Sequence, residues 1–204
     1  MTLIAVCQLK GGCGRSTIAT NLAVGLDACL VDADPPQYSA AAWGAVRGVN
    51  VLAVRNHREL VDRVPLLGWV VVDCPPRAAE MTRAALALAD IALIPVTPGV
   101  GDLWAVQDLL PIIEEAQEIN PELQVRLVWN RFRGFVGAEV ELQEQAARDI
   151  PIEPLQASLG YRAAYPQAFI EGKSVLEGSN AKARDEMAAL VAEVRELGEQ
   201  DGND

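Results

Sequence analysis

Short apolar runs recur along the chain at residues 2–8, 28–31, 49–54, 69–72, 91–96 and 125–129, with a further one at 152–155. They are too short for helices and are bounded by glycine, proline or aspartate, so they predict buried strands. Segments of helical composition fall between them, at 16–26, 55–64, 78–89, 103–119, 138–148 and 181–197. In the last of these, Met187, Leu190, Val191, Val194 and Leu197 share one helical face. Gly25 and Asp27 stop the first helix before a very short turn. Strand and helix alternate throughout, so the expected fold is α/β, a mostly parallel sheet with helices on both faces. Neither a repeat nor a linker interrupts the pattern. Residues 1–197 are therefore expected to form a single domain, and the acidic stretch 198–204 a disordered tail.

Composition narrows the class. Half of the 204 residues are hydrophobic but only 5% are aromatic, so small aliphatic side chains must fill the core. The net charge of −11 favours solubility and opposes diffuse binding to DNA or anionic lipid. Cys7, Cys13, Cys29 and Cys74 form no CxxC pair, and with His57 as the single histidine no zinc site is expected. Buried free thiols imply a reducing, cytoplasmic setting. There is neither a leader pattern nor an apolar run of membrane-spanning length.

The unusual residues fall where predicted strands end. Residues 10–17 (KGGCGRST), Asp32 and Asp34, Asp73, 95–102 and Asn130 all follow apolar runs at their carboxyl ends. Open α/β sheets bind ligands along that edge. Gly11, Gly12 and Gly14 let several backbone N–H groups face one concavity, and the helix starting at Ser16 adds its positive dipole end. Ser16 stands where such loops ligate Mg²⁺. Carboxylates at neighbouring strand ends are the usual means of organising Mg²⁺ and water beside a phosphate loop. The plainer alternative is that these aspartates cap helices or turns.

Together these segments resemble the ParA/MinD group of P-loop ATPases. KGGCGRST is similar to that group's deviant Walker A loop, KGGxGK[ST], with Lys10 as the signature lysine. VDADPPQ (31–37) resembles the DxDPQ segment, WVVVDCPP (69–76) the Walker B strand, and ADIALIPVTPGVGDLWAV (89–106) the segment that follows it. LVWNR (127–131) resembles the strand whose asparagine contacts adenine, and AYPQAFIEGKSVLE (164–177) the C-terminal signature. The resemblance implies a P-loop NTPase fold of the deviant Walker A type, an ATPase activity, and ATP with Mg²⁺ as cofactors. Lys10 would reach the phosphates of a partner subunit's ATP. Gly11, Gly12, Cys13, Gly14, Arg15, Ser16 and Thr17 would cradle the phosphates, and Asn130 would read adenine. Asp34 would orient or activate water, with Lys10 and Arg15 completing the catalytic set. Ser16, Asp32 and Asp73 would support Mg²⁺. Residues 98–102 would lie as a loop at the interface of a nucleotide-sandwich homodimer. The implied partners are a second copy, a ParB-like stimulating protein and non-specific DNA, with a plasmid, chromosome or other cargo. The chain has no extension before its first strand to hold a helix-turn-helix, as in short ParA proteins. Its acidic last helix argues against MinD-like membrane attachment.

Two departures bear on mechanism. Arg15 replaces the loop lysine; its longer, planar head still donates to phosphate but is expected to slow hydrolysis. The doubled proline, Pro35-Pro36, shifts Gln37 by one residue. Two other functions stay open, a non-hydrolysing nucleotide-bound scaffold and an ATP-dependent synthetase acting on small carboxylic acids. Arg126, Arg131, Arg133, Arg162, Lys173, Lys182 and Arg184 either form a basic stripe on a dimer or are ordinary surface charge. His57 is expected far from the ligand edge, and the tryptophans in packing roles, with Trp104 the one that could touch a dimer partner.

Overall fold

The computed structural model describes residues 1–133 and 137–200. Among them, seven strands form one sheet: β1 (Thr2–Val6), β2 (Cys29–Asp32), β3 (Leu52–Ala53), β4 (Trp69–Asp73), β5 (Ile91–Val96), β6 (Gln124–Phe132) and β7 (Pro154–Gly160). The order is β3-β2-β4-β1-β5-β6-β7 and every pairing is parallel. The helices are α1 (Arg15–Leu26), α2 (Ser39–Arg47), α3 (His57–Arg63), α4 (Ala79–Leu88), α5 (Val100–Ile119), α6 (Gly137–Asp149), α7 (Ala164–Ile170) and α8 (Ala181–Gln200), with a 3-10 turn at Val175–Glu177.

The pleat of β1 explains why its run is apolar without interruption. Leu3, Ala5 and Cys7 face a core built with Leu60 of α3, Met81 of α4 and Leu109 of α5. Ile4 and Val6 face the opposite core, with Ile18 and Leu22 of α1 and Met187 and Leu190 of α8. A strand buried on both faces needs apolar residues at every position. The expected face of the last helix packs as read: Met187, Leu190, Val191 and Val194 are buried and Leu197 lies against them.

The edges depart from expectation. The last strand, expected at 152–155, instead spans Pro154–Gly160. Only one of its faces is covered, by Leu155, Ala157 and Leu159, so its pattern alternates rather than running apolar. Helix α8 closes this edge. Gln156 and Ala157 N–H donate to Glu193 at 2.8 and 2.9 Å, and Gly160 N–H to Glu186 at 3.0 Å. At the other edge, β3 contracts to two residues of the expected 49–54. Two helices were not expected. Helix α2 (SAAAWGAVR) lacks a polar stripe and starts from Tyr38, at φ 44°, without a side-chain cap; α7 carries Pro166 in its first turn. Helix α5 begins at Val100, so three of the five residues of the expected 98–102 loop are helical. Helix α8 runs to Gln200, past the expected start of the tail, and 201–204 lie outside the described residues.

From β1 the chain moves to β2 on one side, returns through β4, and leaves by β5 to β7 on the other. The crevice at the carboxyl end of β1 is therefore the switch point where such sheets take ligands.

Candidate phosphate and metal site

The loop after β1 turns through Gly12 (φ 79°) and Gly14 (φ 96°), left-handed conformations suited to glycine. A Cβ on Gly14 would come within 2.1 Å of Asn130 Nδ2, so the two segments touch only because no side chain intervenes. Helix α1 starts at Arg15, directly after the loop, and its first N–H groups face the concavity.

Arg15 is buried and folds into the loop itself. Its Nη1 donates to the carbonyls of Gln8 and Lys10, the latter at 2.8 Å, and lies 3.8 Å from Cys13 Sγ. Its buried Nε has no partner among the described residues. The guanidinium thus braces the loop from within. Gln8, which the sequence reading missed, is the other brace: its side chain donates to Pro95 O of β5 at 3.3 Å and accepts from Leu9 N–H at 2.8 Å.

The three aspartates cluster, with Asp34 and Asp73 beside Arg15, but differ in what they hold. Asp32 accepts from Asp34 N–H at 3.0 Å and Ala41 N–H at 2.8 Å, so it fixes the β2–α2 connection and the backbone of Asp34. Burial raises the Asp34 carboxyl above its ordinary value, and the Arg15 charge opposes that. Asp73 is buried with both oxygens unpartnered among the described residues. Desolvation lifts it to about 7, opposed by the nearby Ser16 hydroxyl and Arg15 and reinforced by Asp32 and Asp34. A buried carboxylate pair of lone oxygens beside a serine hydroxyl suits a hydrated divalent cation with oxygen ligands. Ser16 and Asp73 could hold one, with Asp32 acting through its brace on Asp34.

Asn130 sits at this edge as expected, but its amide serves the loop. Nδ2 donates to Cys13 O at 2.7 Å and Oδ1 accepts from Arg131 N–H at 2.9 Å. The adjoining cleft, about 370 Å³, runs from Gly14 and Thr17 past Asn130 to Gly160, Tyr161, Arg162 and Pro166. It is placed to take a base and sugar beyond the phosphates. Arg133 stacks on the Tyr161 ring at 4.9 Å. Pro166 belongs to the 164–177 motif and Arg162 to the basic residues already singled out, but no motif pointed to Gly160 or Tyr161.

Lys10 does not extend away from its own chain. Its ammonium lies 2.5 Å from Asp102 Oδ2, at the start of α5. His57 corrects the expectation that it lies far from the ligand edge. It heads α3 and lines a cleft of about 380 Å³ together with Asp34, Pro35, Pro75 and Glu80. The 164–177 segment supports the site from behind. Asn21 of α1 accepts from Ser174 Oγ at 2.7 Å and Val175 N–H at 2.9 Å, and donates to Thr17 O at 2.7 Å. Of the expected basic stripe, Arg162 pairs with Glu186, Lys173 with Glu171 and Arg184 with Asp185. Cys7, Cys13 and Cys74 are buried free thiols, and Cys29 is half-buried. Among the described residues, no helix is long and apolar enough to cross a membrane.

Comparison with known proteins bears on this geometry. No family model matches the chain. It is 34% identical over 206 residues to the Maintenance of carboxysome distribution protein A of Halothiobacillus neapolitanus, covering 94% of this chain and 95% of that protein. It is 32% identical over 205 residues to the protein of the same name from Gloeobacter kilaueensis, covering 94% and 92%. Among solved structures, the cell division ATPase MinD of Pyrococcus furiosus matches with a TM-score of 0.76 at 18% identity, over 96% of this chain and 99% of that one. That match carries the seven-stranded parallel architecture.

Proposed function

This chain belongs to the ParA family of ATPases, and from that premise we propose that it binds MgATP, closes as a nucleotide-sandwich homodimer, and uses ATP hydrolysis to maintain carboxysome distribution. The observation that carries the nucleotide reading is Asp73, a buried carboxylate with the Ser16 hydroxyl beside it and no ordinary hydrogen bond among the described residues, under a glycine loop at a helix start. The cargo comes from the two relatives named for carboxysome distribution.

Each residue has a part in this reading. The loop N–H groups of 11–17, with Lys10 and Arg15, bind the phosphates. Mg²⁺, when bound, neutralises charge on the phosphate oxygens; Ser16 and Asp73 hold it. Asp34, kept basic by burial and fixed through Asp32, orients the attacking water and accepts its proton. Asn130 keeps the loop in its phosphate-binding shape while the cleft to Tyr161 takes adenine. A partner protein of the ParB type speeds hydrolysis, and the ATP-bound dimer rests on nucleoid DNA. Because Arg162, Lys173 and Arg184 are already paired, that contact falls to Arg126, Arg131 and Lys182, doubled by the dimer.

The test has a chemical and a cellular arm. Purified protein should release phosphate from MgATP, and Asp34→Ala should abolish it. Deleting the gene should turn evenly spaced, fluorescently tagged carboxysomes into clusters. Binding without phosphate release would favour the scaffold. Carboxysome spacing unchanged by the deletion would contradict the cargo.

A further inference from the structure

We propose that Asp102 is a seat for Lys10, a positioning residue that holds the signature lysine in its own subunit and sets the threshold for dimer closure. The consequence rests on the dimer reading above; the pairing does not.

Ninety-two residues separate the two in sequence, and the fold brings Nζ to 2.5 Å from Oδ2. The lysine side chain is 45% exposed and the aspartate only 3%. The ammonium thus stands at the surface over a buried carboxylate. Two glycines keep the approach open. A Cβ on Gly101 would touch Nζ at 3.5 Å, and one on Gly99 would touch Oδ2 at 3.5 Å, so longer side chains there would crowd the pair. The second oxygen, Oδ1, is buried with no partner among the described residues.

The energetics follow from that asymmetry. Withdrawing the ammonium strands a charged carboxylate in the interior, which is far costlier than breaking a surface pair. Lys10 therefore leaves only in exchange for a strong anion, such as the phosphates of a nucleotide held by another subunit. Arg15 tightens the device, because its Nη1 also grips the Lys10 carbonyl at 2.8 Å. With the backbone of Lys10 pinned, the seat governs where its side chain points.

The chain has three lysines, Lys10, Lys173 and Lys182, so the pair can be read directly. Nucleotide-free wild type, Asp102→Asn and Asp102→Glu are treated with limiting acetic anhydride and each lysine is followed by mass spectrometry. The same proteins are titrated with MgATP present, and dimer is measured by light scattering. Asp102→Asn should speed acetylation of Lys10 alone by roughly tenfold and lower the half-dimer protein concentration by roughly tenfold. Asp102→Glu, which keeps the charge, should stay near wild type in both. Equal Lys10 rates in wild type and Asp102→Asn would overturn the seat. Faster labelling without tighter dimerisation would overturn its control of closure. If none of the three dimerises, the dimer reading fails and the labelling rates alone decide the seat. If Asp102→Asn does not fold, a wild-type Lys10 as reactive as Lys182 overturns the proposal.

Discussion

At the β7 edge, Glu193 and Glu186 reach from α8 to backbone N–H groups, and Glu186 also takes the Arg162 guanidinium, with Nε at 2.9 Å. At the carboxyl end of β4, Asp73 lies fully buried with neither oxygen partnered among the described residues. Both regions place acidic side chains against the sheet. In the first, each of the two carboxylates is satisfied by the protein and serves the fold. In the second, the acid is left over by the fold, which suits the Mg²⁺-holding part proposed for it above. Buried polar groups are normally paired, so an unpaired one at a ligand edge separates a site from a scaffold.

Asp73→Asn should break the contrast most strongly. Phosphate release should fall by roughly 10²-fold or more, since a group holding the metal is lost. The nucleotide-free fold should become more stable at neutral pH. The sign follows from burial. An acid raised from 3.8 to about 7 adds its full stability below its unfolded value and loses it as pH rises through about 7. Wild type should therefore lose melting temperature over that window and the Asn variant less so, while Mg²⁺ binding by wild type tightens as pH rises through it. A thermal melt across pH that shows the same slope in both would remove the burial argument.

Arg15→Lys comes next. Arginine commits its head to the Gln8 and Lys10 carbonyls, and a compact lysine charge should raise kcat by roughly tenfold or more. Single-turnover phosphate release reads this, and an unchanged rate would mean that the arginine is as well placed as a lysine. Asn130→Ala separates the loop brace from a base reader. Loss of the brace should weaken MgATP and MgGTP alike by roughly tenfold; a loss confined to ATP would restore the base-reading role. Smallest is Glu193→Ala on the satisfied edge, which should cost about 1 kcal/mol of stability and leave phosphate release intact.

What the sequence made legible follows the same division. The central strands were readable because burial on both faces leaves unbroken apolar runs, and the residues at their carboxyl ends collected where an open sheet binds ligands. The edge strand β7 was misplaced because one covered face leaves an alternating pattern, and α2 was missed because SAAAWGAVR carries no polar stripe. Within the site, loop and aspartates were found from glycine and acid spacing. The direction of each side chain was not. Arg15 turning inward, Asn130 bracing the loop and Lys10 meeting Asp102 depend on contacts 5 to 117 residues apart. His57 was misjudged because the helix after a parallel strand starts at that strand's carboxyl end, which puts the head of α3 at the ligand edge.

The central claim is that the altered loop still couples the γ-phosphate to association. Light scattering on the wild-type chain with MgATP, with MgADP and without nucleotide measures it most directly. The account predicts a dimer's mass with MgATP alone and a monomer's mass otherwise. One mass in all three conditions, with nucleotide binding verified separately, would contradict it.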